Sequence, residues 1–71
     1  MIKKGQKYFH NIKISNIDSN SFYIFMIIEI LGYDSYLDLH VVKVSIGREF
    51  KLTKLTQNFI EHHCTIMDGK V

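Results

Sequence analysis

The ten residues from Phe22 to Leu31 constrain the fold of this chain most, because only Glu29 among them is charged. In a strand, successive side chains alternate between the two faces of the sheet, so both faces of this segment would be apolar. One face would carry Phe22, Ile24, Met26, Ile28 and Ile30, and the other Tyr23, Phe25, Ile27, Glu29 and Leu31. A chain of 71 residues can usually cover only one such face, so the second predicts a cap, a second subunit or a target.

The length predicts a single domain, residues 1–71, whose core contributes only about 3–5 kcal/mol. A composition of 46% hydrophobic and 23% charged residues is typical of a globular protein. The apolar run is well short of the roughly 20 residues that a membrane helix needs. No secretory signal follows Met1, so we expect no membrane partner and a cytoplasmic location. Cys64 is the only cysteine and cannot close an intramolecular disulfide, which fits a reducing compartment.

Alternating apolar residues, separated by clusters of turn-forming residues, predict five β-strands along the chain. The predicted strands cover residues 8–17, 22–31, 36–46, 48–52 and 64–67. Within the third strand the apolar parity switches at Val41 and Val42, which predicts a β-bulge or a strong bend there and leaves His40 on the polar face. Gly47 provides the tight turn that leads into the fourth strand.

A short helix is predicted over residues 53–61, between the fourth and fifth strands. Thr53 is suited to cap its first turn, and Leu55 and Phe59 would lie on one side of it, four residues apart. Residues 68–71 are expected to fray. The predicted fold class is therefore mainly β, a five-stranded small barrel with one short helix before the last strand.

This order of elements resembles the SH3-like small barrel, in which a short helical turn joins the fourth and fifth strands. The resemblance rests on Gly47 between strands three and four and on residues 52–59 before the final strand. It implies the architecture alone, because the chain contains no tryptophan and does not match the aromatic peptide groove of signalling SH3 domains. Chains of this size also resemble accessory proteins of phages and mobile elements, including inhibitors of host defence nucleases of the anti-CRISPR type.

No recognised catalytic motif is present, so the expectation is a protein that is not an enzyme and uses no cofactor. His62, His63 and Cys64 are adjacent, and neighbours in a strand point to opposite faces. We therefore expect them to hold no metal and to supply no nucleophile. A zinc site or a thiolate–imidazole pair that includes His10 or His40 stays open as the alternative, as does any other role for these residues.

The surplus apolar face of the second strand makes binding of another macromolecule the expected function. The leading prediction is a non-catalytic interaction protein that binds and inhibits its target, with a host defence protein or a second copy of the chain as partner. A second copy would make the protein a homodimer. The predicted binding residues are Tyr23, Phe25, Ile27 and Leu31.

The alternative prediction is a small-barrel protein that binds single-stranded nucleic acid. Residues 1–17 mix stackable rings with lysines and contain no acid. The candidate binding residues are Lys3, Lys4, Lys7, Tyr8 and Lys13. Tyr8 and Phe9 fall on opposite faces of a strand, so only one of the two rings could stack on a base. The net charge of +2 also gives little counterion release.

Overall fold

The computed structural model describes residues 2–15 and 21–67, which form one five-stranded antiparallel sheet and one short helix. The strands are β1 Lys7–Ser15, β2 Ser21–Asp34, β3 Leu39–Ile46, β4 Glu49–Leu55 and β5 Thr65–Ile66, and helix α1 spans Gln57–His63. The prediction of a mainly β chain with a helix before its last strand is confirmed. The predicted end of the first strand at Ile17 and the predicted tail 68–71 lie outside the described residues. No helix within these residues is long and apolar enough to cross a membrane.

The strands lie in the order β4-β3-β2-β1-β5, and every neighbouring pair is antiparallel. The first four form a meander of hairpins, and β5 then returns to the far edge, where it pairs with Tyr8 and Phe9. The sheet formed by the described residues is open, so the predicted barrel is not confirmed. The reason is that β5 has only two residues and covers only the start of β1, which leaves β4 without a strand to close against.

Helix α1 packs on one face of the sheet, which we call the inner face. Ile60 of the helix is fully buried against Tyr8, Ile28, Ile30 and Val42. The four strand residues share this face because Tyr8 pairs with Ile28 and Ile30 pairs with Val42. The core is therefore a small cluster on the inner face, closed from one side by the helix.

The cap of the helix is Thr56, whereas the sequence pattern predicted Thr53. β4 continues past Thr53, which pairs with Val42 in the ladder and is therefore extended. The hydroxyl of Thr56 accepts a hydrogen bond from the backbone N–H of Phe59 at 3.0 Å. Both threonines suit a cap by residue type, and the pairing of β4 with β3 decides between them.

The β-bulge lies in β2, whereas the sequence pattern predicted it in β3. Gly32 pairs with Val41, and Leu31 is an extra residue without a partner in the β2–β3 ladder. β3 therefore keeps one parity along its length, and His40 lies on the inner face with only 5% of its surface exposed. The prediction that His40 lies on the polar face was wrong, because the pattern shows that the parity changes but not which strand holds the extra residue.

The tight turn predicted at Gly47 is confirmed. Two residues, Gly47 and Arg48, join Ile46 to Glu49, and Gly47 has a φ of +61°. A positive φ at the first of two turn residues is the conformation that a type II′ hairpin turn requires and that glycine adopts without strain. The turn fixes the register of β4 against β3.

Candidate functional site

The face of the sheet opposite α1, which we call the outer face, is not covered by any helix or strand of the described residues. Its side chains alternate along each strand with those of the inner face. Six large apolar side chains lie on the outer face: Phe9, Tyr23, Phe25, Ile27, Phe50 and Leu52. We call these six residues the apolar band.

The strand register aligns the apolar band across the sheet. Phe9 pairs with Ile27, Ile27 with Ser45, and Ser45 with Phe50, so one row of side chains crosses β1, β2, β3 and β4. The ring of Phe9 also stacks on that of Phe25, with the ring centroids 5.3 Å apart. The band therefore consists of two groups, Phe9 with its neighbours on β2 and Phe50 with Leu52 on β4, which Ser45 on β3 connects within one row.

Much of the apolar band is exposed. The exposed fractions are 66% for Tyr23, 48% for Phe25, 61% for Phe50 and 64% for Leu52. Single exposed hydrophobic residues are normal in soluble domains, but contiguous apolar patches mark interaction sites. The outer face therefore has the character of a binding surface.

Two lysines share a row of the outer face with Leu52 of the apolar band. Lys7 on β1 and Lys43 on β3 are the cross-strand partners of Glu29 on β2. The ammonium group of Lys43 lies 4.6 Å from the centroid of the Phe50 ring, which is within the range of a cation–π interaction. Positive charge and aromatic surface are therefore in direct contact on this face.

Two further lysines lie at other borders of the outer face. Lys13 is the cross-strand partner of Tyr23. Lys54 follows Leu52 on the same side of β4, and its ammonium group forms an ion pair with the carboxylate of Asp34 at 2.9 Å. Glu29 and Asp34 offset part of the positive charge of these four lysines, so the outer face keeps an excess of positive charge around the apolar band.

The structure brings together three of the four residues predicted to bind a protein. Tyr23, Phe25 and Ile27 lie side by side on the outer face. Leu31 is the unpaired residue of the bulge and is partly buried. Of the four predicted residues, only the three that precede the bulge therefore belong to the outer face.

The residues predicted to bind nucleic acid separate into three places. Lys7 and Lys13 lie on the outer face and are exposed. Tyr8 is buried in the core, where its hydroxyl donates to the side chain of Gln6, and burial raises its pKa. Lys3 and Lys4 lie in the turn that precedes β1. Tyr8 therefore has no ring face available for stacking.

Sequence reasoning did not select Phe9, Phe50 or Leu52 as binding residues. The alternation of Phe50 and Leu52 with polar neighbours was visible, but it does not reveal which face of the sheet these side chains reach. That depends on the pairing of β4 with β3 and on the bulge in β2. The pair Tyr8 and Phe9 was recognised as split between the faces, and the structure assigns Phe9 to the outer face.

His62 and His63 lie in the last turn of α1 and Cys64 caps its C-terminus, so they do not lie on a strand as predicted. The Nδ1 atom of His10 donates a hydrogen bond to the carbonyl oxygen of His63 at 2.6 Å. Burial raises the pKa of the Cys64 thiol, which lowers the fraction of reactive thiolate. Among the described residues, no three His, Cys, Asp or Glu side chains lie close enough to share a metal ion. The hydrogen bond between His10 and His63 ties β1 to the end of the helix.

His40 is a buried polar residue that the sequence pattern did not identify. The ring of Tyr33 packs against it with centroids 5.0 Å apart, and its Nε2 atom has no hydrogen-bond partner among the described residues. An open cavity of about 500 Å³ lies beside it, with Lys4 and Gln57 in its wall. The Nε2 atom is not accessible from this cavity, so a molecule there would not contact that atom.

Comparison of the chain with protein-family models, with curated proteins and with solved structures finds no match. The function is therefore interpreted from the residues of the chain itself. The residues that are suited to binding lie together on the outer face, as an exposed apolar band bordered by lysines.

Proposed function

We propose that this chain is a non-catalytic binding protein that holds single-stranded nucleic acid on the outer face of its sheet. The observation that supports this most is the combination of exposed rings and lysines on one uncovered face. Proteins that bind single strands without sequence preference combine a positively charged surface with rings on which bases stack. The apolar band supplies the rings and its borders supply the charges.

The rings of Tyr23, Phe25 and Phe50 would act as the stacking platforms. Each keeps about half or more of its surface exposed, so a base can pack on it without displacing protein atoms. The contact of Phe25 with Phe9 holds one platform in place. A stacked base contributes about 1–3 kcal/mol to binding.

The lysines would neutralise the phosphates of the bound strand. Lys7 and Lys43 share a row with Leu52, and Lys13 lies opposite Tyr23, on the other side of Phe9 and Phe25. A single strand laid along the band would therefore have cations on both sides of its bases. Each phosphate contact should lower log affinity by about 0.7 per log unit of salt.

The test is fluorescence polarisation of labelled single-stranded oligonucleotides, titrated with the protein and its variants. We expect Phe25→Ala and Phe50→Ala each to weaken binding by about 1–3 kcal/mol. Tyr36→Ala is the matched control, because Tyr36 is 93% exposed but lies in the turn between β2 and β3, away from the outer face. Lys43→Gln should reduce the salt dependence by one phosphate contact. Absence of binding at physiological salt, or equal losses in Phe25→Ala and Tyr36→Ala, would contradict the proposal.

The architecture and location belong to the same proposal. The strand order and the helix before β5 support an SH3-like small barrel that is opened between β4 and β5. Small barrels bind nucleic acid on exposed strand faces, as OB-folds do. The chain would carry out this binding in the cytoplasm.

A second candidate function is binding and inhibition of a protein, such as a host defence protein of the kind that phage accessory proteins block. Ile27 and Leu52 favour it, because these aliphatic side chains lie within the apolar band and offer no ring for a base.

Affinity capture from the native cytoplasm separates the two functions when nuclease is added in one arm. A captured protein that survives nuclease, is lost with Phe25→Ala and is retained with Tyr36→Ala supports protein binding. Recovery of RNA or DNA with the same dependence on Phe25 supports the first proposal.

A further inference from the structure

β4 forms one edge of the sheet that the described residues build. All seven residues from Glu49 to Leu55 pair with β3, and none has a partner on the other side among the described residues. Sheet edges are usually protected by proline, by bulges, by very short strands or by charged side chains, and β4 carries Glu49, Lys51 and Lys54. The chain contains no proline, and the β3–β4 ladder is regular. The edge is therefore able to pair with a strand that places no like charge opposite these residues.

The hairpin turn determines which backbone groups the edge presents. Ile46 and Glu49 close a two-residue turn and face each other as a hydrogen-bonded pair. The direction of the N–H and C=O groups alternates along an antiparallel strand. Phe50, Leu52 and Lys54 therefore direct theirs away from β3, toward the open edge.

We infer that two copies of this chain pair through β4, antiparallel and with Leu52 at the two-fold axis. Leu52 is the central residue of the strand, so only this register pairs every residue of β4 with one of the second copy. The pairs are Leu52 with Leu52, Phe50 with Lys54, Lys51 with Thr53 and Glu49 with Leu55.

The charges of β4 fit this register. No like charges stand opposite each other, and Phe50 faces a lysine, as it already does through Lys43 within the chain. A shift by two residues in one direction would place Lys51 opposite Lys51 of the second copy and repel it. A shift in either direction also leaves residues at the strand ends unpaired. The strand is therefore complementary to itself in one register.

Pairing through β4 would also join the two outer faces. Leu52 lies on the outermost strand of the apolar band, so the Leu52 side chains of both copies would meet at the axis, whereas Phe50 of each copy would face Lys54 of the other. The two outer faces would then form one surface, with Leu52 of both copies at its centre. This arrangement is independent of which macromolecule the outer face binds.

Disulfide cross-linking tests the register directly, in a Cys64→Ser background that removes the native thiol. Residues 51 and 53 would face each other as a non-hydrogen-bonded pair, with Cα atoms about 4.5 Å apart, which a disulfide can span. We expect a mixture of Lys51→Cys and Thr53→Cys chains to form a covalent dimer under mild oxidation. Either variant alone should cross-link far less, because its two cysteines would be diagonal neighbours, with Cα atoms about 7–8 Å apart. Equal cross-linking in all samples, or none, would overturn the proposal.

Light scattering supplies the second measurement. Leu52→Pro removes only an edge-directed N–H, a position at which sheets tolerate proline, so it should fold and be monomeric. Leu52→Ala keeps the N–H and should remain dimeric. A wild-type chain that stays monomeric at millimolar concentration would overturn the proposal, and so would a dimer that persists in a folded Leu52→Pro chain. If Leu52→Pro does not fold, the cross-linking result decides.

Discussion

Phe9 of β1 and Phe25 of β2 stack on the outer face, with ring centroids 5.3 Å apart and ring planes inclined by 28°. The two residues are not direct cross-strand partners, because Phe9 pairs with Ile27 and Phe25 with Asn11. Their contact is a diagonal one, which aromatic side chains are long enough to make. The stack restrains a ring that is still half exposed.

This contact predicts energetic coupling between the two rings. The free energies of unfolding of Phe9→Leu, Phe25→Leu and the double variant, measured in urea, form a double-mutant cycle. We expect a coupling of about 0.5–1.5 kcal/mol, the range of stacked aromatic pairs. Effects that add to within about 0.3 kcal/mol would show that the rings contribute independently.

Ile60 should be the most sensitive position of the helix. Its side chain is fully buried against the inner face of the sheet. Ile60→Ala leaves a cavity there and should lower the free energy of unfolding by about 2–5 kcal/mol. A core of this size contributes only about 3–5 kcal/mol, so the variant should be largely unfolded in circular dichroism. Leu37→Ala is the control, because Leu37 is exposed in a turn. A folded Ile60→Ala chain with unchanged stability would show that the helix does not close the core.

The capping role of Thr56 predicts a smaller loss. Thr56→Ala removes the acceptor for the Phe59 N–H and should lower the free energy of unfolding by about 0.5–2 kcal/mol. Thr56→Ser keeps the hydroxyl and should retain most of the stability. Equal denaturation midpoints for the alanine and serine variants would show that the hydroxyl does not stabilise the helix.

Asp34 predicts a dependence of stability on pH. Its carboxylate accepts hydrogen bonds from Lys54 at 2.9 Å and from the N–H groups of Leu37 and Tyr36. The Lys54 ammonium group, followed by the Leu37 N–H, holds the pKa of Asp34 below its usual range. A carboxyl whose pKa is lower in the folded state stabilises the fold above its unfolded pKa, which is about 4. That stabilisation is lost as the pH falls from about 4 through the lowered pKa.

The pH dependence that Asp34 predicts is tested by the thermal melting point, measured from pH 7 down to about pH 3, below the usual carboxyl pKa. Asp34→Asn should lower the melting point at pH 7 and show a smaller decrease toward acid than the wild type. Glu49→Gln, which removes another exposed carboxylate, should keep the wild-type decrease. An identical acid dependence in Asp34→Asn and the wild type would contradict the assigned role of the ion pair.

The sequence predicted the strands and the helix better than it predicted which residues meet. The apolar run of β2, the turn at Gly47 and the helix before β5 follow from local patterns that need no knowledge of neighbouring strands. The burial of His40 and the grouping of Phe50 with Phe25 depend on one unpaired residue, Leu31, which shifts the parity between strands. Thr56 was missed as the cap for a similar reason, because hydrogen bonds to β3 extend β4 beyond Thr53.

The position of β5 has a consequence for the order in which the chain acquires its structure. Thr65 and Ile66 complete the sheet beside Phe9 and Tyr8, and His10 bonds to His63, 53 residues further along the chain. During synthesis on the ribosome, the meander of β1 to β4 emerges before the helix and β5 that close its inner face. Contacts of such large sequence separation form late and leave apolar surface exposed until they do. The nascent chain should therefore depend on protection by chaperones until its last described strand has emerged.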